Sequence, residues 1–149
     1  APEIVERVRR TRESGSELLF LDLQLHAPFL LVAYAQAHCV QPELFGTCLA
    51  WLEEDLGRMT FESIAIVAYA AAHAGLDRPS LWAAIVRQMT ESGSEWSVRA
   101  IGRVVGATRK LLMIGVQGGH EEHSSSLVAL FRVAGREMLK RGSEITFHE

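Results

Sequence analysis

The chain has 149 residues, 48% of them hydrophobic and 22% charged, and a net charge of −3. That is the size of one domain with a real core, and the composition excludes a disordered chain. No apolar run approaches the roughly 20 residues of a membrane-spanning helix, so no membrane partner is expected.

Two cysteines, Cys39 and Cys48, make no disulfide framework and read as small core side chains in a reducing compartment. The start at Ala1-Pro2 reads as a processed chain or an excised piece. Net charge gives no whole-chain footprint for nucleic acid, but the charge is uneven. Residues 1–92 sum to −5 and residues 93–149 to +2, which implies two different surfaces.

Abundant alanine and leucine, with prolines only at positions 2, 28, 42 and 79, predict helices. A first helix is expected over 2–14, with Pro2 in its first turn and Ser14-Gly15-Ser16 ending it. Leu18-Leu19-Phe20-Leu21 fits helix or extended chain. Pro28 opens a helix to His38, and Pro42 opens another to about Leu56, stopped by Gly57. Thr60 caps a helix running to Ala74 and stopped by Gly75. Asp77 caps the next, to about Glu91. Ser92-Gly93-Ser94 is a turn, and Ser94 or Ser97 caps a long helix through Leu111 and Leu112. Residues 115–119 form the clearest loop in this half, and a last helix runs from about Glu121 to Arg141.

The chain repeats itself. Ala33-Tyr34-Ala35-Gln36-Ala37-His38 matches Ala68-Tyr69-Ala70-Ala71-Ala72-His73 at a shift of 35. Leu44, Phe45, Cys48, Leu49 and Leu52 match Leu81, Trp82, Ile85, Val86 and Met89 at a shift of 37. The two extra residues are assigned to the turn, which grows from residues 39–41 to 74–78. A weaker third copy places Ile101, Val104 and Thr108 opposite Ile64, Val67 and Ala71. The register of its second helix, around Leu127, Leu130 and Phe131, stays open. Alanines in each first helix allow close approach, and large residues in each second helix fill the space between layers. The expected fold is an all-α solenoid of stacked antiparallel helix pairs. It is one domain over 1–149, with about seven helices and repeats near 28–57, 60–91 and 94–141.

Residues 59–70, Met-Thr-Phe-Glu-Ser-Ile-Ala-Ile-Val-Ala-Tyr-Ala, and the corresponding Leu31–Ala35 carry a family likeness. They resemble the octotricopeptide and heptatricopeptide repeats of organellar RNA-metabolism proteins, the repeats often found upstream of a RAP domain. The resemblance implies mitochondrial residence in an RNA or ribonucleoprotein setting. Residues 42–62 depart from a basic RNA-reading face, because Glu43, Glu53, Glu54, Asp55 and Glu62 stand against Arg58 alone.

Catalytic signatures are not found. His120-Glu121-Glu122-His123 spaces its histidines at i, i+3, whereas a zinc-protease helix needs i, i+4. His38 and His73 are taken as repeat-equivalent helix ends near the C-terminal dipole. Cys39, Cys48, His26 and His38 lack metal-ligand spacing, and Ser124-Ser125-Ser126 lacks a nucleophile elbow. No metal, cofactor or catalytic residue is therefore expected.

The best candidate surface is basic. Arg132, Arg136 and Lys140 form one helical stripe, and Arg99 and Arg103 a second, with Arg109 and Lys110 nearby. Trp51, Trp82 and Trp96 are aromatic enough to stack bases, and Trp96 is expected to be the partly exposed one. The leading expectation is a non-enzymatic scaffold that binds protein partners in an organellar RNA-processing assembly. Direct single-stranded RNA binding through the basic C-terminal helices is the alternative. Exposed solenoid ends also allow homo-oligomers.

Overall fold

The computed structural model describes residues 17–117 and 125–142, together with Glu3, Glu6, Arg9 and Arg10. Among the described residues there are six α-helices packed antiparallel, two 3₁₀ turns and no strand. The helices are α1 (Glu17–Gln36), α2 (Pro42–Glu54), α3 (Phe61–His73), α4 (Pro79–Ser92), α5 (Val98–Gln117) and α6 (Ser125–Lys140). Of the expected helix over 2–14, only Glu3, Glu6, Arg9 and Arg10 are described, and each is helical. The His120–His123 motif, Ser124 and the tail after Gly142 lie outside the described residues.

Two helix starts differ from expectation. Pro28 does not open α1 but sits inside its 20 residues. Proline removes a single backbone donor, and the burial of Ala27, Leu31 and Ala35 around it holds the helix against the core across that gap. Asp77 does not cap α4. The cap position is Arg78, because Pro79 occupies the first turn and pushes Asp77 one residue too far upstream. The Asp77 carboxylate instead accepts the Trp82 indole N–H at 2.7 Å.

The helix opened by Pro42 ends at Glu54 with Asp55 as its cap, so Gly57 does not stop it but lies in the 3₁₀ turn Leu56–Arg58. The caps at Thr60 and Ser97 follow expectation. Thr60 Oγ1 accepts the Ser63 N–H at 3.2 Å. Ser97 Oγ accepts the Ala100 N–H at 3.0 Å, and the same hydroxyl donates to Glu62 across the α3–α5 boundary.

These local bonds recur at one interval, 37 residues, in both helices of the pair. After α1, His38 N–H reaches Ala35 O at 3.1 Å and Cys39 N–H reaches Tyr34 O at 2.9 Å. After α3, Gly75 N–H reaches Ala72 O and Leu76 N–H reaches Ala71 O, both at 3.0 Å. Each pair is the Schellman arrangement, which needs one residue in the left-handed region. His38 (φ 56°) and Gly75 (φ 71°) supply it.

The following turns, 37–41 and 74–78, are the same length. The 3₁₀ bonds Met59 N to Leu56 O (3.1 Å) and Trp96 N to Gly93 O (3.3 Å) keep the interval. So do the caps Thr60 and Ser97. The 35-residue match of the Ala-Tyr-Ala segments is therefore a coincidence of composition, and no turn grows between copies. Burial agrees: Ala27, Pro28, Leu31 and Ala35 are buried, as are Ile64, Ala65, Ala68 and Ala72 at the 37-residue offset. His38 corresponds to Gly75, not to His73.

The last helix takes a different offset. Its buried Leu127, Leu130 and Ala134 stand 45 residues after Trp82, Ile85 and Met89. The longer interval accommodates the extra turns of α5 beyond Lys110 and the segment 118–124.

Helix α3 lies between α1 and α5, and these are among the closest backbone approaches in the molecule, together with α4 on α6 and α5 on α6. Alanine makes them possible: Ala65, Ala68, Ala70, Ala71 and Ala72 are all buried. Phe45, Leu49, Leu52, Trp82 and Met89 of α2 and α4 fill the other side of the core. Buried Thr108 gives its hydroxyl to Val104 O at 2.9 Å within its own helix.

Two expectations about exposure are overturned. Trp96 is 0% exposed, because it occupies the place of Met59 one repeat earlier, under the helix start, where its ring stacks on Phe61 at 5.0 Å. Cys39 is exposed at the end of the Schellman turn, whereas Cys48 is buried and its thiol pKa is pushed up to about 11 by that burial. The turn around Trp96 is closed by Arg141, whose guanidinium donates to Gly93 O at 2.9 Å and also to Ser94 O and Trp96 O.

Three substitutions check this account. His38→Gly relieves a side chain held at positive φ and should stabilise the protein by about 0.5–1 kcal/mol in urea denaturation. Gly75→Ala meets no atom within 4 Å and should cost about 1 kcal/mol from the backbone alone. Arg141→Met keeps the apolar stem but takes the guanidinium from three carbonyls, of which Gly93 O alone keeps the Trp96 N–H, and should cost about 2 kcal/mol. A loss below about 0.5 kcal/mol would show that water replaces the guanidinium.

Candidate functional site

The 37-residue register places equivalent residues of α1, α3 and α5 side by side, so the outer face of these three helices is ruled into rows. One row is Phe29, Ile66 and Arg103. The next is Val32, Tyr69 and Gly106, and the third is Gln36, His73 and Lys110. Glu62 and Arg99 begin a further row.

A shallow groove crosses them. Phe29, Val32, Gln36, Ile66, Tyr69 and Arg103 line a depression of about 320 Å³. Phe29, Glu62, Ile66, Ser97, Arg99 and Arg103 line a second of about 490 Å³. The two share Phe29, Ile66 and Arg103, so they form one surface.

The groove is apolar on its α1 flank and basic on its α5 flank. Phe29 is 57% exposed, a large value for an aromatic ring. Across from it, Arg99 and Lys110 are exposed and Arg103 is half-buried. Among the described residues, no carboxylate lies within ion-pair distance of Arg99, Arg103, Arg109 or Lys110. Lys110 Nζ instead meets His73 Nδ1 at 2.9 Å, and the His73 ring leans on Tyr69 at 4.1 Å. Partial burial, and then the Lys110 charge, hold the His73 pKa below its ordinary value of 6.5. A neutral imidazole accepts from the ammonium and leaves its positive charge on the groove rim.

The structure divides the candidate basic residues. Arg99 and Arg103 line the groove. Lys110 lies beyond its end, against His73, and with Arg109, Gly106, Met113 and Ile114 lines a separate depression at the outer edge of α5. Arg132, Arg136 and Lys140 are exposed on α6, and none of them lines the groove. Lys140 pairs with Glu137 of its own helix at 3.1 Å. Trp96 is enclosed by protein, and Trp51 and Trp82 are buried, so none of the three presents a ring face to a base.

Sequence reasoning missed Phe29 and Tyr69. With the 37-residue shift applied to the first helices, Phe29 aligns with Ile66 and Arg103, and the row becomes legible. Among the described residues, no group of three or more His, Cys, Asp or Glu side chains is arranged to hold a metal ion. No described helix is long and apolar enough to cross a membrane. Comparisons with protein-family models, curated proteins and solved structures give no match.

The His73 titration reports on the rows directly. Lys110→Met removes the smaller of the two causes and should raise the His73 pKa part of the way toward 6.5, read from its imidazole NMR shifts. The sign for stability follows. A histidine with a lowered folded-state pKa binds fewer protons folded than unfolded, so its contribution is present above 6.5 and is lost as pH falls through the folded value. An unmoved pKa in the variant would mean that Lys110 and His73 are not neighbours in solution.

Proposed function

We propose that the chain is a short α-solenoid that serves as a scaffold, holding a segment of a protein partner on the α1–α3–α5 face and catalysing no reaction itself. The recurrence of caps, 3₁₀ turns and Schellman bonds at 37 residues supports the solenoid reading. The observation that carries the binding role is the groove itself. An exposed phenylalanine faces Arg99 and Arg103, which have no carboxylate partners among the described residues, across a floor of Ile66 and Tyr69, with Lys110 beyond the groove's end. Stability alone gives no reason to leave an aromatic ring in water beside unpaired charge, whereas association does.

The organellar, mitochondrial RNA-processing setting rests on the likeness of residues 59–70 to octotricopeptide repeats and on nothing further. Direct RNA binding is the second reading. It is favoured by the same unpaired Arg99, Arg103 and Arg109 and by the exposed α6 stripe. Exposed Met113, Ile114, Phe131 and Leu139 on the last helix pair support contact with a second copy through the end of the stack.

Site-specific photocrosslinking decides among these. A photoreactive amino acid replacing Phe29, in cells expressing the chain, should yield a discrete protein adduct that the same residue at exposed Ala83 does not yield. Nuclease-sensitive adducts from Phe29 would move the groove to RNA. Identical adducts from both positions would remove the scaffold reading of this face.

A further inference from the structure

We propose that the segment held in this groove is an acidic amphipathic helix, lying over α3 with its apolar side against Phe29 and Ile66 and its carboxylates against Arg99, Arg103 and Lys110. This rests on the protein-partner reading above and names the partner's chemistry.

The dimensions fit a helix. Packed helices stand about 8–10 Å apart, so α1 and α5, on either side of α3, are separated by roughly 16–20 Å. A helix about 10 Å across lies between those flanks over the shared middle helix. Along α5 the groove cations Arg99 and Arg103 fall at i and i+4, and Lys110, beyond the groove's end against His73, at i+11, a span of about 16 Å or three helical turns. Carboxylates on one side of a partner helix recur at the same period, and its apolar stripe on the other side meets Phe29, Val32 and Ile66.

The charge fits an acidic partner. Among the described residues, nothing neutralises the α5 flank from within the chain, although the chain as a whole is negative. Partial burial, and then the Lys110 charge, hold its neighbour His73 toward the neutral form.

A nucleic acid fits less well. Tyr69 is half-buried and already in contact with His73, so it is no free stacking platform. Phe29 stands on the flank away from the cations.

The test uses the whole chain and a fluorescein-labelled model peptide of about 18 residues, five helical turns. The peptide carries leucine along one face and glutamate beside it, and a counterpart carries glutamine in place of glutamate. By fluorescence anisotropy at low salt, the acidic peptide should bind about tenfold more tightly than the glutamine one. Added salt should shrink that difference. The double variant Arg99→Glu/Arg103→Glu should abolish the difference, while Phe29→Ser weakens both peptides alike. All these side chains reach the surface, and circular dichroism confirms that the variants fold. Equal binding of the two peptides, binding of neither, or an undiminished difference in the double variant overturns the proposal. If both peptides bind equally and Phe29→Ser weakens them, the groove still takes a protein segment and only its acidic character falls. Tighter binding of a single-stranded RNA than of the acidic peptide assigns the groove to nucleic acid instead.

Discussion

Close contact between alanine-lined helices fixes the register on which the rest of the structure depends. Helix α3 presents Ala65, Ala68, Ala70, Ala71 and Ala72 to its surroundings, and all are buried. Side chains this small let the α1 and α5 backbones come near, and at that distance a slip of one residue would drive a larger side chain into a neighbour. The register then has to be held at the helix ends. Schellman bonds stop α1 and α3, prolines start α2 and α4, and the hydroxyls of Thr60 and Ser97 start α3 and α5. Because these devices recur at one interval, side chains outside the core are aligned as strictly as those inside it. The rows of the groove follow from packing that has no part in binding.

The last helix, α6, is held by a different means. After α4 the chain makes its 3₁₀ turn and buries Trp96 against Phe61. Of three carbonyls in and beside that turn, Gly93 O accepts the Trp96 N–H, and those of Ser94 and Trp96 look to a side chain. Arg141, at the end of α6, supplies them from one planar guanidinium. The last helix is thereby tied to the boundary of the repeat before it, beyond the hydrophobic contact of Leu127 and Leu130 with the core. An arginine that reads in the sequence as one more charge near a basic stripe is in fact a capping group for another element.

Much of the helical organisation was legible because it rests on local chemistry. Pro42, Thr60, Gly75, Pro79 and Ser97 mark helix boundaries through backbone effects that act over a few residues. Misreadings arose where identity and environment diverge. Ala-Tyr-Ala recurs at 35 residues, yet alanine is acceptable at almost any helical position and so fixes no register. His38 resembles His73 by type, but its backbone conformation makes it the counterpart of Gly75. Pro28 signals a helix start, but packing of Ala27, Leu31 and Ala35 against the core outweighs a single missing donor. Trp96 sits among Ser94, Glu95 and Ser97, polar neighbours that suggest exposure. Only the three-dimensional path shows that the turn folds its ring inward. Half of the candidate site was visible as Arg99, Arg103 and Lys110, because charge is read from residue type. Its apolar half was hidden, because an exposed phenylalanine looks like a core residue until its helix face is known.

The uneven charge of the chain acquires a spatial meaning in this arrangement. Read along the sequence, the shift from −5 over residues 1–92 to +2 over 93–149 is a difference between halves. In the structure, α1, α3 and α5 come from successive parts of the chain and lie side by side, so the shift becomes a gradient across one face. Phe29 and Val32 stand at one side, Glu62 and His73 in the middle, and Arg99, Arg103 and Lys110 at the other. A uniformly basic face would attract any polyanion, and a uniformly apolar one would attract any exposed hydrophobic surface. Placing the two side by side, about one helix width apart, asks a ligand to satisfy both at a fixed separation. That is a geometric condition on the ligand, and specificity of this kind needs no catalytic residue.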